Sequence, residues 1–73
     1  MDIGSRIKEL RLAKKIKAIE LARMANISQP YLSDIENGRT KPSLDTLEAI
    51  CNSLGITMSD FFADKSTSLS PDI

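Results

Sequence analysis

The stretch from Leu21 to Pro42, LARMANISQPYLSDIENGRTKP, decides the fold. Its opening residues continue a short helix from about Ala18 to Ala25, with Ile16, Leu21, Ala22 and Ala25 on the apolar side. Asn26 marks a tight turn, because asparagine enters the left-handed backbone region more readily than most residues with a side chain. Ile27 is placed to plug the angle between two helices. Ser28 is a good N-cap for the next helix, and Pro30 fits its first turn, where no intrahelical donor is lost. That helix runs to about Asn37, with Leu32, Ile35 and Glu36 facing inward, and Gly38 ends it. Arg39 to Pro42 is then a polar loop.

The same reading extends outward on both sides. Roughly Ile3 to Lys14 forms a first helix, with Ile3, Ile7, Leu10 and Lys14 at helical spacing and Arg6, Lys8, Glu9 and Lys15 on the exposed side. Lys17 stands where the second helix needs a cap and offers no acceptor. After the loop, Ser43 caps a fourth helix whose buried stripe is Leu44, Leu47, Ile50, Cys51 and Leu54, with Asp45 complementing the dipole and Gly55 as the stop. Thr57 and Asp60 are spaced as a capping box for a short fifth helix through Phe61, Phe62 and Ala63. The last ten residues, DKSTSLSPDI, have little to bury and read as a flexible tail or the start of a linker. The organisation is therefore an all-α domain of five helices over residues 1–63, followed by a tail over 64–73.

Composition narrows the functions open to such a domain. In 73 residues there is one cysteine and no histidine, so neither a zinc site nor a histidine-based catalytic set is available, and neither metal nor cofactor is expected. Cys51 sits among apolar residues and reads as a buried structural thiol, with redox sensing as the alternative. No apolar run is long enough to span a membrane, and the N-terminus lacks the apolar region of an export signal, which points to a cytoplasmic protein. The formal net charge is zero, but it is unevenly spread. Residues 1–41 carry nine Lys/Arg against five Asp/Glu, whereas residues 42–73 carry one against five. A basic half is what a surface facing phosphates needs.

Two short helices joined by a tight turn form a helix-turn-helix, the unit that lays its second helix in the major groove of DNA. The sequence resembles the Xre family, the repressors and Cro proteins of the lambda-repressor-like helix-turn-helix class. The resemblance runs from about Ile3 to Phe62 and is carried by IGSRIKELR at 3–11, LA at 21–22, ISQPYLSDIENG at 27–38, KPSLDTL at 41–47 and LGITMSDFF at 54–62. It implies a compact five-helix bundle with helices 2 and 3 as the motif, encoded by a prokaryote or a phage. It also implies a salt bridge between Arg11 and Glu36 that links the first and third helices.

Carried over residue by residue, the resemblance assigns base reading to Gln29, Pro30, Ser33 and Asp34. Glutamine pairs with adenine through two hydrogen bonds, serine serves several bases, proline offers only an apolar contact such as a thymine methyl, and aspartate accepts from cytosine N4. Asp34 is unusual beside phosphates, and a plain solvated residue that repels wrong sequences is the other reading. Contacts to the DNA backbone fall to Lys17, Tyr31, Asn37, Arg39, Thr40 and Lys41. Tyr31 either reaches a phosphate through its hydroxyl or packs against the second helix, and Lys17 is either a phosphate contact or a solvated lysine. One departure stands out. Family members often open the second helix with Thr-Gln, and the glutamine binds a phosphate, whereas this chain has Lys17 and Ala18.

The function so implied is a sequence-specific transcriptional regulator, most plainly a repressor on a palindromic operator, with double-stranded DNA as the partner. A twofold homodimer is expected, with Met58, Phe61 and Phe62 as the candidate contact and one of the two phenylalanines in the core. Contact with RNA polymerase or an antirepressor is open. The competing reading is a protein-interaction module or antitoxin-type regulator that kept the fold with weak or lost DNA reading.

Overall fold

A computed structural model describes residues 2–63; the tail expected over 64–73 lies outside the described residues. Five helices follow in order: α1 (Ile3–Ala13), α2 (Ala18–Met24), α3 (Gln29–Glu36), α4 (Leu44–Leu54) and α5 (Met58–Phe62). Each start has a local cause. Asp2 caps α1, accepting from the Ser5 amide at 3.4 Å and the Ser5 hydroxyl at 2.7 Å. Ser28, Ser43 and Thr57 accept from Tyr31, Thr46 and Asp60 amides. At α5 the Asp60 carboxylate accepts in return from the Thr57 amide, completing the capping box. Lys17 caps nothing with its side chain, but the Glu20 carboxylate accepts from its amide at 3.0 Å and satisfies one otherwise free donor.

The helix ends share one device. After α1, α2, α3 and α4 the chain passes through a left-handed residue, at Lys15, Asn26, Gly38 and Gly55 respectively. In each case the next amide reaches back to a carbonyl in the last turn: Ile16 to Arg11, Ile27 to Ala22, Arg39 to Asp34 and Ile56 to Cys51. These are Schellman exits, in which the residue after the left-handed one tends to pack against the helix. Three of the four carry isoleucine there, and Ile16, Ile27 and Ile56 all pack against the core. The exit from α3 carries Arg39 instead.

The core is Ile7, Leu21, Ala22, Ala25, Leu32, Ile35, Leu47, Ile50, Cys51, Leu54 and Phe61. It is enclosed by packing of α1 on α3, α2 on α3 and α4, and α4 on α1 and α5. Three expectations need correction, and the choice between the two phenylalanines is made. Lys15 is not on the face of α1; the helix stops at Ala13 and Lys15 turns the chain at φ 59°. Leu44 does not belong to the buried stripe. As the first residue of α4 it stands at the edge of the fold, uncovered by other described residues and 75% exposed. Arg6 is not a solvated residue either. Its guanidinium donates to the carbonyls of Phe61 at 3.0 Å, Ala63 at 3.2 Å and Asp60 at 3.4 Å, capping the end of α5. Phe61 is fully buried and is removed from the candidate dimer contact, whereas Phe62 stacks edge-on against it and stays 45% exposed.

Candidate nucleic-acid interface

At 3.6 residues per turn, Gln29, Ser33, Asn37, Pro30 and Asp34 fall within an arc of roughly 140° around α3. Leu32 and Ile35, both buried, occupy the opposite side. Gln29, Pro30, Ser33 and Asn37 are exposed and Asp34 half-exposed. The fold thus presents a polar helix face beside the polar loop Arg39–Lys41, in which Arg39 and Lys41 are exposed and Thr40 is half-buried. Tyr31 lies on the flank of the arc, half-buried against the core. Lys17 is exposed at the start of α2.

Two contacts tie the outward face of α3 to the residues that follow it. The Asn37 side-chain amide donates to the Ser33 hydroxyl at 3.3 Å. The Arg39 guanidinium donates to the Asp34 carboxylate at 3.4 Å. The second was not foreseen, because residues five apart are not neighbours along a helix. Only the sharp exit through Gly38 brings them together.

The orientation of α3 is fixed from beneath. Arg11 Nε donates to Glu36 at 2.8 Å, Arg11 Nη2 donates to the other carboxylate oxygen at 3.1 Å, and Arg11 Nη1 donates to the Ile16 carbonyl at 3.0 Å. The two side chains are only 10% and 7% exposed. A two-pronged pair of this kind sets a helix angle as well as neutralising charge. Gly4 is the second support, and the sequence reading missed it. A Cβ there would overlap the Ile35 carbonyl oxygen, so the glycine lets α1 lie directly on the end of α3. No local signal marks it, because Gly4 sits inside a helix with an ordinary backbone.

A family model described as Helix-turn-helix matches residues 7–61. The chain belongs to the helix-turn-helix family. Its helix-turn-helix is of the Xre/Cro type. Among curated relatives it is 49% identical over 59 residues to the immunity repressor protein of Bacillus phage phi105, covering 81% of this chain and 41% of that protein. It is 39% identical over 77 aligned positions to the HTH-type transcriptional regulator DdrOP3 of Deinococcus deserti, covering 97% of this chain and 60% of that protein. The chain therefore spans less than two thirds of the length of either relative. Its fold matches the clp gene regulator ClgR of Corynebacterium glutamicum with a TM-score of 0.84 at 30% identity, over 92% of this chain and 71% of that one. It also matches the restriction-modification controller protein C.Esp1396I, solved as a tetramer in complex with its natural 35 base-pair operator. There the TM-score is 0.79 at 30% identity, over 84% of this chain and 80% of that one.

Proposed function

We propose that this domain serves a sequence-specific repressor that occludes a promoter by laying α3 in the major groove of a palindromic operator. The observation that carries this reading is the outward arc of α3, polar and exposed among the described residues beside a basic loop, with its opposite side locked by Arg11–Glu36. Gln29 opens the helix and is the reader of adenine, through paired hydrogen bonds to N6 and N7. Ser33, one turn on, serves the next base, and Pro30 offers its ring to a thymine methyl. Lys17, Asn37, Thr40, Lys41 and the Tyr31 hydroxyl hold phosphates and supply affinity without sequence information. Lys17 replaces the usual amide contact with a point charge, which makes docking more sensitive to salt.

A single α3 reads too few base pairs for specificity, so the active form is a twofold dimer on half-sites about one helical turn apart. Phe62, with the half-buried Met58 beside it, supplies the apolar contact between copies. Both cell-encoded and phage-encoded relatives support a site of action in the bacterial cytoplasm.

Fluorescence anisotropy on the DNA upstream of the protein's own gene, and on a scrambled duplex, tests this reading across a salt series. Tight binding to the first and weak, steeply salt-dependent binding to the second is expected. No binding to either duplex at low salt would overturn it.

A further inference from the structure

Asp34 and Arg39 are joined twice. The Arg39 amide donates to the Asp34 carbonyl at 2.8 Å, and the Arg39 guanidinium donates to the Asp34 carboxylate at 3.4 Å. The first bond belongs to the Schellman exit, so the fold itself sets the Cα of Arg39 beside the last turn of α3. At the other three exits this position holds an isoleucine packed against the core. Here it holds a guanidinium that turns back along the outward face of α3 rather than out over the loop. The side chains are 47% and 69% exposed, so the pair adds little to folding. What it does provide is orientation.

We propose that Asp34 and Arg39 act as one unit that reads a G·C base pair, with Arg39 contacting the base and Asp34 holding it in position. The inference rests on α3 entering the major groove. A guanidinium held by a carboxylate on one edge keeps its other N–H groups free, and the guanine major-groove edge, with its N7 and O6 acceptors, matches two of them. The second Asp34 oxygen, which accepts no bond within the described residues, is free to accept from a cytosine N4 amino group. The unit is neutral overall, so the carboxylate does not face phosphates as an uncompensated charge. This accounts for an acidic residue on a face that otherwise has to approach DNA. It also takes Arg39 out of the set of phosphate contacts.

The test is a panel of operator duplexes in which each half-site position is replaced in turn, titrated at one salt concentration. The proteins are the wild type, Asp34→Ala, Arg39→Ala, Arg39→Lys and the double alanine variant, each checked for native helicity by circular dichroism. The wild type is expected to prefer G·C at one position by on the order of 10–100-fold. Both single alanine variants flatten that position and leave the others unchanged, and the double variant is no flatter than the worse single. Arg39→Lys does not restore the preference, because a point charge lacks the planar fork.

If instead Arg39→Ala weakens every duplex alike and lowers the salt slope by about 0.9, Arg39 is a phosphate contact and the proposal is wrong. Flattening by Arg39→Ala with Asp34→Ala unchanged removes Asp34 from the unit and overturns it as well. A wild type that prefers no base at any position overturns the major-groove reading itself, a result distinct from a profile that survives both substitutions.

Discussion

Gly4 of α1 lies directly on the carbonyl oxygen of Ile35 at the end of α3, with the Glu36 carbonyl on the same side. Any side chain at position 4 would have to displace backbone, not the tip of a flexible side chain. On the proposed reading α3 carries the base-reading face, so this contact couples folding to docking. Gly4→Ala adds helix propensity but forces α1 away from α3, and overpacking of this kind costs roughly 1–3 kcal/mol. The variant is expected to unfold at lower urea concentration than the wild type with an unchanged m-value. An equally stable variant would show that α1 shifts freely, and the close approach would then not be what sets α3.

Arg11 and Glu36 form the other tie between the same two helices. Glu36→Gln keeps one acceptor for the Arg11 guanidinium but puts a donor amide in place of the other and leaves the nearly buried Arg11 charge without a counter-charge, which should cost about 3–5 kcal/mol. The paired substitution Arg11→Met with Glu36→Leu removes both charges and should recover much of that loss. Chemical denaturation of the three variants checks both statements. A Glu36→Gln variant as stable as the wild type would show that the pair is not desolvated.

The parts of this fold that were legible in the sequence are those written in local chemistry. Ser28, Ser43 and Thr57 start helices because a short side-chain oxygen reaches an amide three residues on. Asn26, Gly38 and Gly55 end them because these residues tolerate a left-handed backbone. Lys15 makes the same turn with no such signal, at a cost of roughly 1–2 kcal/mol for a residue with a Cβ, offset by the two exit bonds and by Ile16 reaching the core. Leu44 fits the helical period of α4, but periodicity does not say where the neighbouring elements stop. Arg6 looked solvated because its partners are the carbonyls of α5, some 55 residues away. The outward arc of α3 followed from the helical period, and the Arg11–Glu36 link from family resemblance. The Asp34–Arg39 contact depended on a chain reversal that no periodicity describes.

Cys51 gives a direct reading of global opening. Burial, and secondarily the neighbouring Glu48, hold its thiol above the ordinary value, so little thiolate exists at neutral pH. A thiol reagent should label the native protein only as fast as the domain unfolds, and addition of denaturant should raise the rate steeply. Intact-mass kinetics at several urea concentrations measure this. Rapid labelling in the absence of denaturant would mean that the helix carrying Cys51 opens locally, and would revive a redox role for the residue.

Lys17 and Lys41 are both exposed, one immediately before α2 and the other in the loop after the exit from α3. On the proposed reading both hold phosphates. Each contact releases its share of condensed counterions, so Lys17→Ala and Lys41→Ala should each lower the slope of log K against log salt by about 0.9 per contact. The loss should be the same on the operator and on scrambled DNA, because phosphates carry no sequence. The ratio of the two affinities would then stay at its wild-type value. Anisotropy titrations at four or more salt concentrations measure slope and ratio together. An unchanged slope for Lys17→Ala would make it a solvated lysine, and α2 would then be placed through its backbone alone. A fall in the ratio for Lys41→Ala would mean that this lysine reaches a base.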